Sequence, residues 1–268
     1  MGILKFPEEK HKWGVMKSPL AYIGGKSKLS ETIIKNIPEH ISYCEVFAGA
    51  AWVFFRKPPS KYETINDLDQ DLVCFYRVLQ NHLEEFLKQF KWLLSSRQWF
   101  EDWKCQQEAG GLTDIQRAAR YYYLQRHCFA GRVRNRTFGM NGPLHRPRIN
   151  LLRLEEELSE VHLRLCRVFI ENLPWESFIP RYDRSTTFFY LDPPFYKSPV
   201  YNHNLEPDDY GRLAAVLSKI RGKFLLSIND VPEMRRVFDA FKLRPVTLNY
   251  TVKKEGQSKG NELIVTNY

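Results

Sequence analysis

The sequence predicts an α/β protein: an open, mainly parallel sheet covered by helices, with a helical segment inserted part-way along. Three observations point there. Short β-prone apolar runs alternate with segments of helical period at both ends of the 268-residue chain, the pattern of parallel strands joined by crossover helices. The middle, roughly residues 78–166, keeps the helical period without the strands. That middle also holds the charge. Between Ile115 and Leu154 stand nine arginines and no Asp, Glu or Lys, which accounts for the whole net charge of +9.

Taken in order, "KSKLSETIIKNI" (Lys26 to Ile37) spaces its apolar residues as a helix does and stops at Pro38. "SYCEVFAGAA" (Ser42 to Ala51) reads as a strand running into a turn of small residues. "YETIND" (Tyr62 to Asp67) reads as a second strand ending in two polar residues. A helical period begins at Asp69 with "DQDLVCFYRVLQNHLEEFLKQFKWLL" and returns in "SRQWFEDWKCQQEA", "TDIQRAARYYYLQRHCFA" and "NLLRLEEELSEVHLRL". Between the last two, "GRVRNRTFGMNGPLHRPRIN" is rich in Gly, Pro and Asn and reads as loop or hairpin. Strands resume with "RVFIEN", "TTFFYLD", "KFLLSIND", "RPVTLNYTV" and "NELIVTNY", separated by the helical "EPDDYGRLAAVLSKI" and "VPEMRRVFDAF". The expected division is an extension at 1–15, a sheet domain at 16–77 and 167–268, and an inserted domain at 78–166.

Bulk properties exclude several classes. A hydrophobic fraction of 43% supports an ordinary core. No apolar run approaches the roughly 20 residues of a membrane span. The start, "MGILKFPEEKHKWGVMK", has mixed charge and no apolar stretch of a secretion signal. Five cysteines, widely spaced and without a C-x-x-C pair, argue against a disulfide framework or a zinc site and fit a cytoplasmic protein. A charge run is by default a solvated face. Arginine alone, interleaved with Tyr121 to Tyr123, Phe129 and Phe138, favours nucleic acid, because the planar guanidinium forks onto phosphates and guanine edges.

In an open α/β sheet, ligands sit beyond the carboxyl ends of the strands. Three clusters fall there: the small-residue turn of "EVFAGAA", the Asn66–Asp67 pair, and Asp192 in "YLDPPFYK". Each alone is ordinary turn chemistry, and Pro-Pro by itself is a stiff strand end. Three along one sheet edge make a site. "YIGGKSK" (Tyr22 to Lys28) is half of a phosphate-binding loop, but Leu20 stands where that motif needs its first glycine.

From about Met16 to Tyr268, the motifs and their order resemble the Dam-type (alpha-group) DNA adenine-N6 methyltransferases, whose cofactor is S-adenosylmethionine. The resemblance implies a Rossmann-like methyltransferase core with an inserted, helical target-recognition domain. In "SPLAYIGGKSKL" it places Tyr22, Gly24, Gly25 and Lys26 at the cofactor. "EVFAGAA" resembles the family's Phe-x-Gly-x-Gly turn and adds Glu45, Phe47 and Gly49. "INDLDQDL" supplies the ribose-binding acid, Asp67. The family's Asp-Pro-Pro-Tyr falls on Asp192, Pro193, Pro194 and Phe195, with Asp192 also beside the cofactor. "RHCFAGRVRNRTFGMN" is similar to the DNA-contacting hairpin, with Gly131 before the arginines and with Arg132, Arg134, Asn135 and Arg136 at the DNA.

The reaction implied by the resemblance is methyl transfer from S-adenosylmethionine to the 6-amino group of an adenine flipped out of double-stranded DNA, by a monomer or weak dimer and without a metal. Adenine's exocyclic amine is a poor nucleophile. The Asp192 carboxylate and the Pro193 carbonyl would accept its two N–H groups while Phe195 stacks on the base. The loop Tyr196 to Asn204 is a candidate for ordering around that base, or an ordinary surface loop. Two departures stand out: Phe195 replaces tyrosine, and Ala51 replaces the second glycine of the turn, a costly change if that position needs φ > 0. A weakened or inactive DNA-binding homologue, and a methyltransferase acting on cytosine's amine or on RNA, are the alternatives.

Overall fold

The computed structural model describes residues 16–93, 95–139, 148–198, 200–250 and 258–268. The expected extension at 1–15, Arg146, and the ends of two expected segments (Leu94, and Thr251 with Val252) lie outside the described residues, as does Pro199 of the candidate loop.

The strands are β1 Ser42–Glu45, β2 Tyr62–Asn66, β3 Val168–Glu171, β4 Thr187–Leu191, β5 Lys223–Asn229, β6 Lys242–Tyr250 and β7 Ser258–Thr266. They form one sheet in the order β3-β2-β1-β4-β5-β7-β6. The first five are parallel, and β7 slots antiparallel between β5 and β6. This is the Rossmann-like α/β fold, and its order reverses at β1 and β4, where two neighbouring strands run off in opposite directions.

Helices cover both faces: α1 Ser30–Lys35, α2 Trp52–Arg56, α3 Gln70–Asn81, α4 Leu83–Lys88, α5 Arg97–Ala109, α6 Asp114–His127, α7 Leu151–Leu165, α8 Trp175–Tyr182, α9 Pro207–Leu217 and α10 Pro232–Val237. Strand alternation divides the core. Tyr43, Ile65, Phe188 and Tyr190 point to one side, in a cluster with Phe75, Tyr122 and Leu158 from α3, α6 and α7. Cys44, Phe189, Leu191 and Phe224 point to the other, against Phe178 and Leu213 from α8 and α9. The helices of the middle segment therefore share one continuous apolar cluster with the sheet. Helix α3 itself runs across the boundary expected at residue 78.

Local chemistry sets the helix ends. Asp69 caps α3 by accepting from the N–H groups of Asp71 and Leu72. Thr113 and Gln116 form a reciprocal capping box on α6, and Asn150 caps α7. The helical period from Asp69 onward is broken at His82 (φ −138°, ψ 41°), which divides α3 from α4. The first helix begins at Ser30 and not at Lys26, because Lys26 to Leu29 form turns that direct the Lys26 side chain inward. Helices α2 and α8 are additions to the sequence reading. The first is too short to show a period, and the second contains Pro180, which reads as a breaker.

Candidate active site

The carboxyl ends of β1, β2, β3 and β4 meet around one cavity with about 930 Å³ of empty space, partly open to solvent. Tyr22, Gly24, Gly25, Lys26, Glu45, Phe47, Gly49, Asp67 and Asp192, far apart in the sequence, all line it.

The turn after β1 is held from several sides. Gly49 has φ +49°, its N–H donates to Asp67 Oδ2 at 2.8 Å, and its carbonyl accepts from the Tyr76 hydroxyl at 2.8 Å. A Cβ on Gly49 would come within 3.3 Å of the Tyr22 ring. Ala51 does adopt the left-handed conformation (φ 50°, ψ 39°) as the N-cap of α2, so the methyl that replaces glycine is strained. Asp67 is brace as well as rim. Its second oxygen accepts the Asp69 N–H at 3.0 Å, and burial pushes its carboxyl up to about 6 against those two hydrogen bonds. Asn66 also borders the cavity, its side-chain amide bonded to the backbone of Val46 and Leu173. Glu45, buried under the turn, accepts from the Tyr43 hydroxyl at 2.6 Å and the Phe54 N–H at 3.1 Å, and burial pushes it up to about 8.

Beyond β4, Asp192 faces a buried cation. Lys26 Nζ, its side chain 5% exposed, lies 2.8 Å from Asp192 Oδ1 and 3.7 Å from Glu262 Oε2 of β7. Ser227 of β5 donates to the same Asp192 oxygen at 3.1 Å. Oδ2 makes no hydrogen bond among the described residues. Burial pushes the Asp192 carboxyl up to about 6, with Lys26 opposing and Glu262 reinforcing. Burial works against the Lys26 ammonium, but Asp192 and Glu262 outweigh it and hold its pKa above the ordinary lysine value. The Pro-Pro stretch is fixed by Tyr210, which donates to the Pro194 carbonyl at 2.8 Å. Asn229 bonds the Tyr196 backbone from both ends of its amide. No such bond is made to the Pro193 carbonyl among the described residues. The Phe195 ring is half-buried, with the Lys26 ammonium 4.5 Å from its centroid.

Sequence reading missed other residues of the cavity wall. Leu173 and Trp175 follow β3, and Val133 reaches in from the arginine segment. Tyr201 packs on Tyr22 with ring centroids 6.1 Å apart and donates to the Ile23 carbonyl at 3.1 Å. Asn202 donates to Asp69 Oδ2 at 3.3 Å. The loop after Phe195 is therefore fastened to the cavity rim. "ENLPW" after β3 was the available signal, being a fourth strand end on the same edge.

The expected hairpin is a short 3-10 turn at Phe129–Gly131 and an isolated bridge, Cys128 to Phe138. Arg132, Arg134 and Asn135 are exposed, Arg132 over the Phe129 ring and Asn135 at φ 49°. Arg136 is turned partly inward, over the Tyr121 ring and bonded to Gln107. Much of the arginine run serves structure. Arg117 pairs with Asp71, Arg120 bonds Gln106, and Arg153 pairs with Glu156. Arg126 donates to the carbonyls of Pro19 and Arg148, and Arg148 to those of Cys128 and Gly139. The charge run is thus not one solvated or binding face. Gly131 (φ +67°) is a joint: its carbonyl accepts from Ile23 N–H and Gln125, and a Cβ there would lie 2.7 Å from Tyr22 N.

A family model described as D12 class N6 adenine-specific DNA methyltransferase matches residues 22–252. The chain belongs to that family. Relatives of this methyltransferase span nearly its whole length. It is 24% identical over 269 residues to the Type II methyltransferase M.CviBI of Paramecium bursaria Chlorella virus NC1A, covering 94% of this chain and 100% of the relative. It is 23% identical over 288 residues to the Type II methyltransferase M.MjaIII of Methanocaldococcus jannaschii, covering 94% and 99%. A DNA adenine methylase of Vibrio cholerae serotype O1 is 26% identical over 267 residues, covering 91% and 94%. The methyltransferase is therefore a DNA adenine-N6 enzyme, which answers the cytosine and RNA alternatives. Among its described residues, no helix is long and apolar enough to cross a membrane.

Proposed function

We propose that the cavity binds S-adenosylmethionine and that Asp192, Pro193 and Phe195 present a flipped adenine of double-stranded DNA to it. The observation that carries this reading is the division of labour at Asp192: Lys26 and Ser227 anchor Oδ1, and Oδ2 is left to accept.

The cavity's residues fit the cofactor. The cramped glycine turn lets backbone approach a ligand closely, Leu173 and Trp175 offer an apolar wall for an adenine ring, and Asp67 has acceptor capacity left for ribose hydroxyls. When bound, S-adenosylmethionine supplies an electrophilic methyl group on a cationic sulfur.

The chain's own contribution is orientation and acceptance. Asp192 Oδ2 takes one N–H of the target amine and the Pro193 carbonyl takes the other, which localises the nitrogen lone pair on one side. Phe195 stacks on the base, which leaves the duplex because its amine is unreachable within it. In accepting the methyl, with the carbon–sulfur bond breaking to leave a neutral thioether, the nitrogen would become acidic and lose a proton to the Asp192 carboxylate or to water. The segment 78–166 acts as the target-recognition domain, with Arg132, Arg134 and Asn135 at the DNA and Arg136 bracing them.

The test is methyl transfer from labelled S-adenosylmethionine to unmethylated duplex DNA, digested to nucleosides. Label in 6-methyladenine is expected. Asp192→Ala is expected to lower kcat by about 100- to 1,000-fold or more while DNA binding persists, a loss comparable to removing a transition-state hydrogen bond. An active Asp192→Ala enzyme overturns the assignment.

A further inference from the structure

Glu262 enters the site from a direction the proposed chemistry does not use. It lies on β7, beside Asn229 at the end of β5, and is 1% exposed. Its carboxylate reaches the same ammonium that Asp192 holds, at 3.7 Å against 2.8 Å. One buried cation is thereby shared by two carboxylates, one just past β4 and one on β7. A lysine given to Asp192 alone would draw electron density from the oxygen meant for the target amine, since a fully paired carboxylate is a weaker acceptor.

We propose that Glu262 is a positioning residue of the methyl transfer: by sharing Lys26 with Asp192, it leaves the Asp192 carboxylate a stronger acceptor for the adenine N–H. This rests on the reading of Asp192 as the amine's acceptor.

The groups facing Asp192 give the pH dependence its sign. They are Lys26 from the segment before α1, Glu262 from β7, Ser227 from β5, Tyr190 from β4, Glu45 from β1 and Tyr201 from the loop. A protonated Asp192 accepts poorly, so activity is expected above about pH 6 and its loss below, because burial pushes that carboxyl up to about 6. The negative charge of Glu262 raises that point, and the Ser227 hydrogen bond lowers it. Glu45, pushed by burial up to about 8, stands apart from this acid limb.

The experiment is the pH profile of kcat, with KM for S-adenosylmethionine, in the full-length protein and three variants. Glu262→Gln is expected to move the acid limb to lower pH and to reduce plateau kcat by about three- to tenfold, as a weaker base does. Glu262→Asp, which keeps the charge but withdraws it, is expected to move the limb the same way by less. Ser227→Ala is expected to move it upward. A purely structural Glu262 would lower kcat or melting temperature in its variants and leave the limb in place, and that result overturns the proposal. If Glu262→Gln does not fold, Glu262→Asp decides alone: a downward limb supports the proposal and an unmoved one sinks it. Asp192→Ala separates the levels. If it is active, the underlying reading fails; if it is dead while the Glu262 variants keep the wild-type limb, only the present inference fails.

Discussion

At the residue scale, Ala51 shows how opposing terms cancel. An L-residue in the left-handed region costs about 1–2 kcal/mol, which glycine would avoid. Glycine would in turn lose about 0.8 kcal/mol of methyl burial and about 0.5–1 kcal/mol of chain entropy. Ala51→Gly is therefore expected to leave the melting temperature within about 2 °C of wild type. Ala119→Gly, at a buried position inside α6 with no strain to relieve, is expected to cost about 2 kcal/mol. Equal losses in the two variants, measured by calorimetry, would show that Ala51 is unstrained. The departure from glycine was visible in the sequence, and its sign depended on φ, which only the fold supplies. Asp192, Lys26 and Asp67 were legible because strand ends and resemblance marked them. Glu262 was not. In "NELIV" it reads as the polar start of a strand, and its burial beside Lys26 exists only because β7 is inserted between β5 and β6.

At the scale of elements, the joint at Gly131 ties the segment bearing Tyr22 to the arginine turn. Gln125, fully buried on α6, donates to both the Ala21 and Gly131 carbonyls, at 2.6 and 2.8 Å. Gly131→Ala would set a methyl against the backbone of Ala21 and Tyr22 at positive φ. The expected loss is about 3 kcal/mol, from strain and overpacking together. Its signature is that affinity for S-adenosylmethionine and for DNA fall together, as isothermal titration of each would read. A variant weakened for DNA alone would sever the link. The strands were legible to within one or two residues, apart from the first, which ends at Glu45, and the last, which begins three residues early. Their alternation in a two-sided core leaves few other arrangements. The arginine turn was located but not its shape, since a single bridge and residues at positive φ leave little period to read.

For the whole molecule, charge is the property most easily misread. The net +9 comes from one segment, yet most of its described arginines are bonded to carbonyls, carboxylates or side-chain amides of the chain itself. Arg134, exposed and without a partner among the described residues, is expected to touch phosphate or base. Arg134→Ala should weaken DNA binding and reduce the slope of log affinity against log salt by about one. Arg126→Ala should lower the melting temperature and leave that slope unchanged. A changed slope for Arg126, or an unchanged one for Arg134, would reverse these roles.

The shared carbonyl of Gly131 also bears on any attempt to trade the arginine-rich segment for that of a relative. Gln125, Gly131 and Val133 belong to the cavity's wall and its supports as much as to the turn. A chimera cut before Gln125 imports foreign masonry into the cavity, whereas one cut just before Arg134 exchanges the outward residues and keeps the wall that the recipient already fits.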